Sequence, residues 1–164
     1  MKPISRVAKA IAPSATLAIS AMAKQMKAEG IDVINFGAGE PDFDTPDCIK
    51  QEAIRATNRG ETKYTPAAGI PQLRTAICGW LKKNLDLKYT SDQIVVASGA
   101  KHSIYIALQS ILNPGDEVIL PAPYWVTYEE AIKMCGGVPV IIETKEENGF
   151  KISAGNSEGT KSLK

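Results

Sequence analysis

The sequence predicts an α/β fold, and three observations carry that prediction. Between residues 94 and 143, short β-branched runs alternate with helical stretches in the order β-α-β-α-β. That order calls for parallel strands joined by right-handed crossovers. Ahead of it lie three long runs of helix formers, each punctuated by glycine or proline. Composition agrees: 164 residues with 44% hydrophobic and 23% charged side chains suit a globular domain with a real core, not a disordered or fibrous chain.

The elements follow in chain order. Pro13-Ser14 opens a helix over 15–29, and Gly30 stops it. Residues 31–36 form a short apolar run. Gly37, Gly39, Pro41 and Pro46, with Asp42 and Asp44 between them, make a turn-rich loop. Pro46 stands where a helix begins, running to about Arg59 with Gly60 as its stop. A second loop spans 61–69. Pro71 then opens a helix over 72–84, with Leu73, Ile77, Trp80 and Leu81 on one stripe. Residues 94–97 read as a strand, Ser98-Gly99-Ala100 as a tight turn, and 101–112 as a helix closed by Asn113-Pro114-Gly115. A strand over 117–120, a loop with Pro121 and Pro123, a helix over 127–134 stopped by Gly136-Gly137, and a strand over 138–143 complete the pattern. Residues 153–164 are small, polar and aperiodic, and are expected to be disordered.

Several function classes are disfavoured at once. The 19 Lys+Arg balance 18 Asp+Glu, with no basic block, so nothing suggests a nucleic-acid partner. Cys48, Cys78 and Cys135 are odd in number and never in a C-x-x-C pair. That argues against a disulfide framework and a structural zinc, and for buried reduced thiols in a cytoplasmic protein. Ala21-Met22-Ala23 faintly mimics a signal-peptidase site, but Lys9 and Pro13 interrupt the apolar run before it, and it continues into Lys24 and Lys27. No stretch has the length of a membrane span.

Four stretches could carry chemistry. In Ser98-Gly99-Ala100-Lys101 a strand ends and a helix begins, so free N–H groups and the positive helix end face the carboxyl edge of the sheet. Phosphate is the usual occupant of such a place, although many ordinary βα turns also carry a glycine. Pro121-Ala122-Pro123-Tyr124-Trp125 follows the next strand. Its tryptophan could stack on a flat heteroaromatic ring, or be a core or interface aromatic. In the loop from Gly37 to Asp44, Gly39 can offer an unhindered backbone N–H to a carboxylate. Asp42 and Asp44 there read as solvated turn residues, since His102 is the sole histidine and no metal set emerges. Tyr64, in a loop braced by Pro66 and Gly69, is either surface structure or a residue that reaches a ligand across a subunit contact. His102 follows Lys101 at a helix N-terminus, where protonation is disfavoured, and reads as structural.

These stretches, in this order and spacing, resemble the start of a class I pyridoxal-phosphate (PLP)-dependent aminotransferase, in particular the bacterial aspartate aminotransferases. The resemblance rests on Gly39-Glu40-Pro41-Asp42-Phe43-Asp44-Thr45-Pro46, on Lys63-Tyr64-Thr65-Pro66 with the run from Ala68 to Arg74, on the run from Asn113 to Val118, and on Pro121 to Trp125. It covers about residues 5 to 152. It implies the beginning of the PLP-dependent transferase fold, incomplete in these residues. Residues 1–45 would be an N-terminal arm and the start of the small domain, 46–152 the first part of the large PLP-binding domain, and 153–164 an unrelated tail. It also implies roles. Backbone amides of Gly99, Ala100 and Lys101 would hold the PLP phosphate. Trp125 would stack on the pyridine ring and help bind the substrate α-carboxylate, and Gly39 would contact the substrate. Tyr64 would reach the phosphate bound by a neighbouring subunit, which implies a homodimer. Lys101 would favour substrates with a second, acidic carboxylate.

The implied reaction moves an amino group between an amino acid and a 2-oxo acid, with aspartate or glutamate and 2-oxoglutarate as the expected pair. PLP would be the electron sink, and a lysine would hold it and move the proton. Relatives that also accept prephenate carry a lysine just before the Pro-Ser-Ala stretch; here that position is Ala12. The resemblance places the PLP lysine well beyond residue 164, so no catalytic residue is assigned, and the 164 residues are expected to be inactive alone. Two other readings stand beside this one: a non-catalytic binding or regulatory protein on the same fold, and the remnant of a truncated gene.

Overall fold

The computed structural model describes residues 3–37 and 39–153. The tail expected to be disordered lies outside them from residue 154 onward. The described residues form two compact units. One joins the chain up to Ser14 to the chain from Ser98 onward; the other is Ala15–Ala97.

The discontinuous unit holds helix α1 (Arg6–Ala10), whose N-terminus is capped by the Ser5 side chain accepting from the Ala8 N–H at 3.1 Å. From Ser98 the chain enters helix α5 (Ala100–Ile111), then strand β1 (Glu117–Ala122), helix α6 (Thr127–Met134) and strand β2 (Val138–Glu143). The two strands pair in parallel, with Glu117 opposite Val138 and Ala122 opposite Glu143. The core lies where α6 covers them: Leu120, Ala131, Ile132, Cys135 and Ile142 are buried, and Ile132 is only 2% exposed. Burying such a side chain stabilises by about 1.5–3 kcal/mol. The crossover is tight at Gly137, where an added Cβ would meet both Ile132 Cγ2 and Leu112 Cδ1 at 3.0 Å. That is the packing reason for one of the two glycines that stop α6.

The Ala15–Ala97 unit holds α2 (Ala15–Ala28), α3 (Asp47–Asn58) and α4 (Pro71–Leu85). Pro71 occupies the first turn of α4, where its missing N–H costs nothing, and α4 ends on Asp86 in the left-handed region at φ 54°. Along α3, Glu52 holds Arg55 and Arg59 at 2.8 Å each. These pairs are half exposed, so they order the helix surface more than they stabilise it.

The structure corrects the reading of residues 94–97 as a strand. They are extended, with Ile94 and Val96 half-buried and Val95 exposed, but they join no ladder. The Val96 N–H donates instead to the Ala68 carbonyl at 3.0 Å. The loop over 61–69 thus supplies a backbone acceptor to this segment. Gly69 makes this approach possible: its φ is +98°, and a Cβ there would stand 2.7 Å from Val96 Cγ2. Two further differences are smaller. Of the three free thiols only Cys135 is buried, while Cys48 is exposed on α3 and Cys78 is intermediate. The sequence pattern also did not announce α1.

Candidate active site

The site is built at the start of α5. Its N-cap is Gly99, at φ 82° and ψ 168°, a conformation that L side chains adopt only under strain. Among the described residues no side chain caps this helix. The first-turn N–H groups of Ala100, Lys101 and His102 therefore have no side-chain acceptor, and the positive end of a twelve-residue helix is left for an anion. Nothing lies within 4 Å of where a Gly99 Cβ would stand, so an incoming group meets open space. An anionic oxygen cluster fits this cradle.

His102 braces the turn. The Ser98 N–H donates to His102 Nδ1 at 3.1 Å, so that nitrogen is the unprotonated one, and the ring closes the Ser98-Gly99 turn onto the helix. Below the turn, the Ser103 N–H donates to the Gly99 carbonyl at 3.2 Å, the first helical bond of α5.

Trp125 follows the C-terminal end of β1. The Thr144 N–H donates to the Ala122 carbonyl at 3.0 Å, and the Thr144 hydroxyl donates to the same oxygen. These bonds extend the ladder to the last residue before Pro123, so the loop leaves a firm base. The Trp125 carbonyl accepts from the Tyr128 N–H at 2.9 Å, which ties the loop to the start of α6. Trp125 as a residue is 47% exposed. Lys101 reaches it from α5: its ammonium lies 5.8 Å from the ring centroid, within range of a cation–π contact.

The structure thus brings Gly99, Ala100, Lys101 and Trp125 to one place. Tyr64 and Gly39 belong to the other compact unit. Tyr64 there is fully exposed, and an added Cβ at Gly39 would meet nothing within 4 Å. Asp44 is a solvated turn residue, 97% exposed, with only a long contact of 3.8 Å to Lys50.

The sequence reading missed a polar chain beside Trp125. The Tyr124 hydroxyl donates to Glu129 Oε2 at 2.7 Å. Lys133 donates to Glu129 Oε1 at 2.7 Å and to Glu130 Oε1 at 3.2 Å. Glu130 Oε2 accepts from the Ala12 N–H at 3.2 Å. The Lys133 ammonium, then the Tyr124 hydroxyl, hold the Glu129 carboxyl below its ordinary range. The Glu129 hydrogen bond in turn pushes the Tyr124 phenol up, and Glu129, with Glu130, pushes Lys133 up. Two adjacent acids in the first turn of a helix, five residues after a loop tyrosine, were the available signal.

Among the described residues no three His, Cys, Asp or Glu gather as a metal site, and no helix is long and apolar enough to cross a membrane.

Known proteins share this arrangement of elements. The "Probable aspartate/prephenate aminotransferase" of Aquifex aeolicus is 55% identical over 141 residues, which is 86% of this chain and 36% of that protein. The aspartate aminotransferase of Bacillus subtilis is 52% identical over 153 residues, 93% of this chain and 39% of its own length. Among solved structures, the aspartate aminotransferase of Thermus thermophilus with maleate superposes with a TM-score of 0.92 at 41% identity, covering 99% of this chain and 42% of that one. The enzyme from Rhizobium meliloti does so at 0.89 and 44% identity, covering 99% and 40%. This chain therefore spans about two fifths of the length of the relatives it matches. The family pattern for class I and II aminotransferases runs over residues 31–160, from before Gly39 to beyond the Trp125 loop and β2. With that span, which covers well over half of its residues, the chain belongs to the class I and II aminotransferases.

Proposed function

We propose that these residues form the phosphate end and ring wall of a PLP site in an enzyme that transfers amino groups between aspartate and 2-oxoglutarate. The observation that carries the reading is the meeting of Lys101 and Trp125 beside an uncapped helix N-terminus. The amides of Gly99, Ala100 and Lys101 hold the phosphate, and Trp125 covers one face of the pyridine ring and contributes to the α-carboxylate subsite. Gly39 contacts the substrate, and Tyr64 reaches the phosphate of a second subunit in a homodimer. Residues 1–45 begin the small domain and 46–152 the large one. Bound PLP supplies the electron sink for the reaction.

What the chain's own residues contribute is placement. Backbone donors fix the phosphate without a counter-charge that would have to move. The Lys101 ammonium would pair with the distal carboxylate of an acidic substrate. Lys101 is engaged with Trp125, and we read it as a substrate-side cation rather than the lysine that carries the cofactor.

The experiment titrates the chain with PLP and with pyridoxal, following Trp125 emission in a Trp80→Phe background. Saturable quenching by PLP, much weaker quenching by pyridoxal, and loss of the difference in Gly99→Val are expected. After borohydride reduction, no single lysine should carry stoichiometric label by mass spectrometry. Equal quenching by the two compounds would sink the phosphate assignment. Stoichiometric label on Lys101 would sink its role as a substrate-side cation.

A further inference from the structure

Trp125 is poorly placed to hold itself still. It lies in a loop, the residue is about half exposed, and among the described residues its polar contacts are one backbone bond and the Lys101 ammonium. A ring that serves as one wall of a flat pocket must keep its orientation, and freezing a free side chain costs conformational entropy. The residue before it is anchored far more firmly. Tyr124 is half-buried, and its hydroxyl donates at 2.7 Å to a carboxylate oxygen of Glu129. The other oxygen of that carboxylate is held at 2.7 Å by Lys133, one turn further along α6. Both oxygens of Glu129 are therefore committed, so the acceptor for Tyr124 is fixed in direction as well as in distance. Lys133 is fixed in turn by Glu130, whose second oxygen takes the Ala12 N–H.

We propose that Tyr124 is a positioning residue for Trp125, held by the Glu129–Lys133 pair on α6. Anchoring the Tyr124 side chain fixes the backbone on which Trp125 is mounted. The indole then meets its ligand with fewer orientations left to lose. The inference deepens the reading of Trp125 as a ring wall and rests on it for its functional meaning. The mechanical part stands on the hydrogen bonds alone.

The test uses the ligand-free chain with Trp80→Phe, which leaves Trp125 as the only indole. Acrylamide quenching and emission anisotropy report its freedom. Tyr124→Phe and Glu129→Leu should each raise the quenching constant roughly twofold, with the double variant no worse than either single one, because both remove the same bond. Glu129→Gln keeps an acceptor oxygen and should restore part of the constraint. The urea midpoint of Tyr124→Phe should move little. If Trp80→Phe does not fold, 5-fluorotryptophan labelling of the unmutated chain gives one ¹⁹F resonance for each indole, and broadening or shift of the Trp125 resonance in Tyr124→Phe replaces the quenching readout. Unchanged Trp125 quenching or resonance in Tyr124→Phe overturns the proposal. So do additive effects in the double variant. PLP titration of the same variants separates the two readings: intact PLP quenching with no brace effect rejects this inference alone, and a brace effect without PLP quenching rejects only the cofactor reading.

Discussion

The Lys101 ammonium stands over the Trp125 indole, 5.8 Å from nitrogen to ring centroid, and joins the first turn of α5 to the loop after β1. A cation–π contact at such an exposed site is worth about 0.5–1 kcal/mol. Lys101→Met should therefore lower the urea unfolding free energy by that small amount and shift Trp125 emission, whereas Lys101→Arg should keep both near the parent values. An unchanged emission spectrum in Lys101→Met would mean the contact is not made in solution.

On the proposed function, the same ammonium would bear on substrate choice. In the family-length enzyme carrying these residues, Lys101→Ala should cost about 1–3 kcal/mol of transition-state binding for an acidic substrate. It should cost far less for an uncharged one. The measurement is kcat/KM for aspartate and for alanine in parent and variant. Equal losses on both would remove Lys101 from selectivity.

Two glycines should fail differently when given a methyl group. Gly99→Ala meets no neighbour but must hold φ +82°, so it should destabilise by about 1–3 kcal/mol through backbone strain alone. Gly69→Ala has the same kind of strain at φ +98° and also drives its Cβ into Val96. Adding Val96→Ala should recover part of the loss in Gly69→Ala. Removing a neighbour should recover nothing in Gly99→Ala. Urea midpoints of the three variants decide the matter.

The Tyr124–Glu129–Lys133 chain should work within a defined pH window. Glu129 titrates below its ordinary 4.5 in the folded chain. Its contribution is complete above that ordinary value and disappears as pH falls through the lowered one. Tyr124 titrates above its ordinary 10.0, so its contribution is complete below 10.0 and disappears as pH rises through the raised value. The difference in Trp125 anisotropy between the parent and Tyr124→Phe should be flat from about pH 5 to 9 and shrink on both sides. A difference that does not shrink at any acid pH at which the chain stays folded would show that the Glu129 carboxylate is not what Tyr124 is anchored to.

Much of this architecture was legible in the sequence because local signals and tertiary packing agree. Pro71 and Gly99 mark helix starts, Gly136-Gly137 mark a stop, and α6 begins and ends on the residues its pattern indicates. The nearness of the Gly99 turn to the Trp125 loop was legible because each follows a β-branched run and breaks it with residues of special geometry. Residues 94–97 misled for a clear reason. Their alternation is strand-like, but a strand also needs a partner with free backbone groups, and no local pattern reveals that the partner will be the Ala68 carbonyl. The link from Ala12 to Glu130 was illegible for a similar reason: it spans 118 residues, and a backbone N–H leaves no mark in the side-chain code.

That long link has a consequence for how the chain comes to be built. Residues before Ser14 and after Ser98 share one compact unit, so the segment before Ser14 waits for partners that are made after Ser98. Ala12 cannot find Glu130 until more than a hundred further residues have been synthesised, at roughly 5–20 residues per second. For several seconds α1 is an orphan, a single five-residue helix too short to persist by itself. The Ala15–Ala97 stretch emerges whole in that interval and can collapse first. Nascent chains stalled with residue 97 clear of the exit tunnel and α6 still inside it should therefore protect that stretch from protease and leave Arg6 and Lys9 open to cleavage. Protection of those two sites should appear only once α6 has cleared the exit tunnel.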